Sequence, residues 1–128
     1  MHGLGWIVVA LAVVHGGWLA FDGAHGLVTG DYVTPRTGRH AGRLGPWARL
    51  VAAAGIPPRS TGMMVAHVVL GAATLLAAAA FALQLAGSWW AVCTCAVLGL
   101  WYLPFGTLLC LLQVALLATP ALRAGAGS

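Results

Sequence analysis

The chain of 128 residues contains no lysine, no glutamate and no asparagine, and charged residues make up only 6% of it. A soluble domain carries roughly a quarter charged residues, so this shortage excludes an ordinary water-facing surface. Acid is scarcest: Asp22 and Asp31 are the only carboxylate side chains, against six arginines. No paired carboxylates are available inside an apolar stretch, which tells against a proton-coupled exporter. The sequence also lacks GxSxG, HExxH and a glycine loop followed by lysine, removing the motif-bearing hydrolase, zincin and P-loop classes. Cysteine is sparse and odd in number. Cys93, Cys95 and Cys110 all fall in apolar segments and read as free core thiols, not as a disulfide framework.

What remains is apolar: 61% of residues are hydrophobic and the mean hydropathy is +0.94. The net charge of +4 would point to nucleic acid only on a soluble basic face, whereas Arg36, Arg39, Arg43, Arg49 and Arg59 sit in one loop between apolar runs. We therefore read an all-α integral membrane protein, a single transmembrane domain with no nucleic-acid partner. The spacing predicts spans over about 3–22, 62–85, 89–103 and 105–119, with a short amphipathic surface helix over about 46–54. Gly45-Pro46 and Gly55 mark the start and stop of that surface helix, Ser60 or Thr61 caps the next, and Gly87-Ser88 makes a turn. Leu103-Pro104 divides the last apolar run into a hairpin, a single kinked helix being the alternative. No leader cleavage pattern stands at the start, no repeat of 20 to 50 residues occurs, and the tail after Pro120 is read as disordered.

The positive-inside rule puts the five-arginine loop in the cytoplasm and both termini outside, in a bacterial inner membrane. Trp6, Trp47, Trp89, Trp90, Trp101 and Tyr102 fall near predicted helix ends, as interfacial belts do. Small residues of the second span, Gly62, Ala66, Gly71, Ala73 and Ala77, offer close-packing faces.

Chemistry concentrates in His15 to Asp31. His15, Trp18, Asp22 and His25 follow at three- and four-residue steps and form one polar stripe on a helix. His15 and His67 each lie about seven residues from the cytoplasmic end of their spans, roughly 10 Å deep, which sets two imidazoles at one level. Such a pair can ligate haem, hydrogen-bond a quinone, or simply bond helix carbonyls. Asp22 can orient His25 as a carboxylate beside a ligand imidazole does, or cap the helix end. Asp31 reads as a turn residue or an arginine partner, and Met63 and Met64 as packing. Arg43, Arg49 and Arg59, with Trp47, can hold anionic lipid headgroups. The polar residues available to line a permeation path are Thr74, Gln84, Thr94 and Gln113.

The order of elements, and the stretch GPWARLVAAAGIPPRSTGMMVAHVVLGAATLLAA in particular, resembles the DoxX-like small four-helix membrane proteins. The resemblance implies a four-helix membrane bundle with an amphipathic helix in its first loop. Where that family commonly carries a glutamate before the glycines of its second span, this chain has His67 before Gly71, and its predicted orientation is opposite to the family's cytoplasmic termini. DGAHGLVTGDYVTP and WYLPFGT resemble stretches of other small bacterial membrane proteins. The reading that follows is a non-enzymatic accessory or scaffold subunit that binds lipid or a larger membrane partner and forms a homo-oligomer or part of a complex. The alternatives are a haem- or quinone-binding redox protein and a small-molecule permease.

Overall fold

The computed structural model describes residues 3–34, 42–102 and 105–124, and all regular structure among them is helical. Six helices follow in order: α1 (Gly3–Thr29), α2 (Pro46–Ala53), α3 (Thr61–Ala82), α4 (Ser88–Leu98), α5 (Phe105–Leu117) and the single turn α6 (Pro120–Arg123). The expected caps are present. Ser60 Oγ accepts the Met63 N–H at 3.2 Å, Pro46 opens α2, and Gly55 and Gly87 take positive φ where the chain turns.

α1 does not stop at Asp22 but continues to Thr29, where Gly30 at φ +94 ends it and donates its N–H to the Gly26 carbonyl at 2.8 Å. Gly23 and Gly26 look like breakers in sequence, yet they are where α3 comes closest. A Cβ at Gly23 would lie 2.6 Å from the Met64 carbonyl oxygen, and one at Gly26 would lie 2.9 Å from the Met64 sulfur. Farther down, a Cβ at Gly16 would lie 2.9 Å from the Gly71 carbonyl, and one at Gly71 would strike the Ala20 and Gly16 backbone. Numbers fall along α3 as they rise along α1, so the two helices are antiparallel and packed backbone to backbone.

α4 and α5 fold back on each other instead of forming one kinked helix. At the base the Trp89 indole N–H donates to the Leu117 carbonyl at 3.1 Å, and at the tip the Thr107 N–H donates to the Tyr102 carbonyl at 3.1 Å while its hydroxyl donates to the Leu100 carbonyl. The break at Leu103-Pro104 itself lies outside the described residues. The base packs Val92 and Leu117 against Val8 of α1 and Phe81 of α3, and Leu122 of α6 joins them, so the start of the expected disordered tail is ordered. At the other end the hairpin is shorter than its neighbours: 11 and 13 residues in α4 and α5 against 27 and 22 in α1 and α3. α2 fills that deficit, lowering Trp47 and Val51 onto the tip while Leu50 and Arg49 face out.

Around this interior the outward faces are apolar. Val13, Val14, Phe21, Val28, Val65, Val69, Leu76, Leu108 and Leu111 are all exposed, Leu76 by 72% and Val28 by 85%.

Candidate functional site

Polar groups gather where the hairpin tip, α1, α2 and α3 meet. Tyr102 is the centre: its hydroxyl accepts the Trp18 indole N–H at 2.8 Å and donates to Asp22 Oδ2 at 3.2 Å. The other carboxylate oxygen, Oδ1, accepts the Val33 backbone N–H at 2.8 Å. Asp22 is 3% exposed, so a buried carboxyl group joins α1, the segment after it and the hairpin tip. Each of these bonds has an ionised or polar partner in a dry setting, which makes the network stiff and costly to break at any member.

His67 stands next to this network inside a box of aromatic rings. Its ring centroid is 4.7 Å from Trp47, 4.9 Å from Tyr32, 5.3 Å from Trp101 and 5.6 Å from Tyr102. Nδ1 lies 2.8 Å from the Met63 carbonyl, which can only accept, so Nδ1 carries the proton and Nε2 is a bare lone pair. Nε2 is buried with no hydrogen-bond partner. Tyr32 closes the box from the loop, its hydroxyl donating to the Pro58 carbonyl at 2.8 Å. Burial pushes that hydroxyl above its ordinary range, Asp22 and Asp31 push the same way, and Arg59 opposes them.

His15 lies on the far side of Tyr102, with ring centroids 6.5 Å apart. Cys110 Sγ is 3.5 Å from its Nδ1, and Gly99 and Gly106 back onto the ring so closely that a Cβ at either would come within 3.0 and 3.1 Å of Nε2. A thiol beside an imidazole is a nucleophile's arrangement, but His15 and Cys110 are both 0% exposed, and the pair is packed interior. Gln113, one turn along α5, is also fully buried, and neither its oxygen nor its nitrogen has a partner.

His15 and His67 are thus both buried, but they are not level. Because α1 runs on to Thr29, the α3 residue across from Gly23 is His67, and His15 lies two turns further down α1. Asp22 and His25 are not a pair either. The carboxylate turns inward to Tyr102, while His25 Nδ1 sits 2.9 Å from the Asp31 carbonyl and its ring packs on Phe21. Trp18 joins the network, and Trp47, expected among the headgroup residues, is 4% exposed inside the box. Trp101 and Tyr102, expected in an interfacial belt, are box walls, whereas Trp6 and Trp90 do face out. Of the path-lining candidates, Thr74 and Gln113 are buried and Gln84 and Thr94 are exposed. The residue that sequence reasoning missed is Tyr102. Its signal was the aromatic pair Trp101-Tyr102 set directly before the Leu103-Pro104 break, where a chain reversal turns side chains inward.

At the loop end, outside the box, Arg43, Arg49 and Arg59 line one groove of about 490 Å³ together with Gly45, Ala48 and Pro57. Arg59 Nε bonds Asp31 Oδ1 at 2.9 Å and its NH2 donates to the Gly42 carbonyl at 2.8 Å, so Asp31 is the arginine partner its position suggested. All three cysteines are free, and among the described residues no three His, Cys, Asp or Glu side chains gather as metal ligands.

Comparison with protein-family models, with curated proteins and with solved structures finds no match to this chain. The DoxX-like layout therefore stays a likeness of element order.

Proposed function

We propose that this chain is a small integral membrane protein, a four-helix bundle in a bacterial inner membrane, that serves as a non-enzymatic accessory or scaffold subunit. One observation carries the membrane reading. α1 and α3 are long and apolar enough to cross a bilayer, yet only 33% of the most apolar stretch of α1 and 39% of that of α3 are buried. A core helix of a soluble protein hides such a stretch, and water would not tolerate so much contiguous apolar surface. Lipid satisfies it. The scaffold reading rests on the interior: Asp22, Tyr102, Trp18 and the Val33 amide bond to one another, so these polar groups hold α1, the segment after it and the hairpin tip together. The face offered to lipid or to a larger partner is the outward stripe of Val65, Val69, Ala73 and Leu76, since Gly71 is already packed within the chain.

Alkaline carbonate extraction of membranes followed by vesicle flotation tests this reading. The full chain is expected to stay with the vesicles and to co-purify in mild detergent as an oligomer or with a partner. Release into the soluble fraction would overturn the membrane assignment, and a monodisperse monomer with no companion would overturn the scaffold role.

The bare Nε2 of His67 favours one second reading, a ligand at the box. A lone-pair nitrogen takes a haem iron or a hydroxyl donor such as a quinol, not a quinone carbonyl. The rings at 4.7 to 5.6 Å mean that Trp47 or Trp101 would have to move to admit it. A Soret band in the purified protein, lost in His67→Ala, would support this reading, and a featureless spectrum would remove haem.

A further inference from the structure

We infer that the groove between the 42–45 segment, the start of α2 and Pro57 to Arg59 is a binding site for a phosphate-bearing anion, with Arg43 and Arg49 as its unneutralised cations and Arg59 as its fixed wall. The inference rests on the membrane reading above and deepens its lipid-binding part.

Charge accounting comes first. The sequence has two carboxylates, and both are committed: Asp22 is buried on Tyr102 and the Val33 amide, and Asp31 pairs with Arg59. Among the described residues Arg43 and Arg49 therefore have no acid to pair with, and no acid lines the groove. The shape is concave: three guanidinium-bearing residues share one hollow of about 490 Å³ whose other walls are Gly42, Leu44, Gly45, Ala48 and two prolines, none of them charged. The third argument is the backbone. α2 begins at the groove with Gly45 as its N-cap, makes no side-chain cap hydrogen bond and has no acidic residue in its first turn. Its positive dipole end is uncompensated by the protein and adds to the same field.

Arg59 is preorganised. Asp31 at 2.9 Å and the Gly42 carbonyl at 2.8 Å bias it toward this position, so an anion has less of it to order. Guanidinium groups suit phosphate because their parallel N–H bonds match two of its oxygens. The setting favours a lipid as the source. Leu50 and Ile56, next in the chain to the lining residues Arg49 and Pro57, are 46% and 45% exposed, so apolar side chains are available near the cations.

The test uses the full chain in detergent, titrated separately with phosphatidylglycerol, phosphatidylcholine and inorganic phosphate, with bound lipid counted by native mass spectrometry. Phosphatidylglycerol is expected to be retained at lower concentration than phosphatidylcholine. The double variant Arg43→Gln, Arg49→Gln should lose about 25-fold in that affinity, about fivefold per cation, with its helical content unchanged. Displacement of the lipid by millimolar inorganic phosphate would support the anion site and assign it to free phosphate; lipid that resists displacement would support it and assign it to the headgroup. Equal retention of the two lipids by the wild type, or wild-type affinity in a folded double variant, would overturn the site. Because flotation after carbonate reads the membrane assignment independently, a chain that floats but shows no lipid preference refutes the groove alone.

Discussion

The Tyr102 hydroxyl both accepts from α1 and donates back to it, through Trp18 at 2.8 Å and Asp22 at 3.2 Å. Removing it leaves a half-buried indole N–H and one oxygen of the buried Asp22 carboxyl without this partner, which costs about 1–3 kcal/mol. Tyr102→Phe is therefore expected to lower the thermal unfolding midpoint of the detergent-solubilised protein while leaving its helicity intact; an unchanged midpoint would mean that the hydroxyl does not hold the hairpin to α1. Gln113 predicts the opposite sign. Its amide is 0% exposed and has no partner on either atom, so Gln113→Leu should raise stability by about 1–2 kcal/mol in the same assay. A loss instead would mean that the amide is satisfied by a bound molecule. At this scale the sequence pointed His15 and His67 inward, because an ionisable group in an apolar helix has only the interior to go to, whereas Asp22, read as a partner of His25 or a cap at the helix end, is buried instead. The sequence could not mark their partners, since Tyr102 lies 80 residues from Asp22 and 84 from Trp18.

Among elements, the decisive contact is the glycine seam between α1 and α3. Gly23→Leu or Gly71→Leu would force backbone against backbone, so either is expected to abolish the native fold, seen as loss of the monodisperse peak and rapid proteolysis. Gly62→Ala, at the start of α3, has nothing within 4 Å of the added Cβ and is the control expected to keep the native peak. If all three variants behave alike, the seam is not what joins the helices. α2 has a role that its amphipathic pattern understated. Lying flat on a surface needs only one apolar side, but here Trp47 reaches past that surface to stack on Tyr102 at 5.6 Å and face Trp101 at 5.7 Å. A hairpin of short helices leaves room at one end, and a large ring close at hand fills it.

For the whole molecule, a mainly apolar interior also holds His15, His67, Asp22, Thr74 and Gln113, while the outer helix faces carry exposed leucine and valine. The arginines on the connection between α1 and α3 give this arrangement a polarity. The positive-inside rule predicts that a single cysteine replacing Arg49 in a cysteine-free background is labelled by membrane-impermeant maleimide only after the membrane is opened from the cytoplasmic side. Labelling in intact cells would reverse the orientation.

The sequence by itself determined the helical class, the places of the caps and turns, and the sparing use of charge, because each follows from local propensity or from the solvent a segment must face. Only the tertiary structure decided where α1 ends, since Gly23 and Gly26 are breakers in isolation and contact points once α3 lies against them. It also decided the level of the two histidines, which follows from the register of α1 on α3, and the burial of Trp47 and Tyr102, which follows from a short hairpin that leaves space at one end. Those outcomes depend on residues far apart in the chain meeting at one depth, and no local pattern of hydropathy encodes that distance.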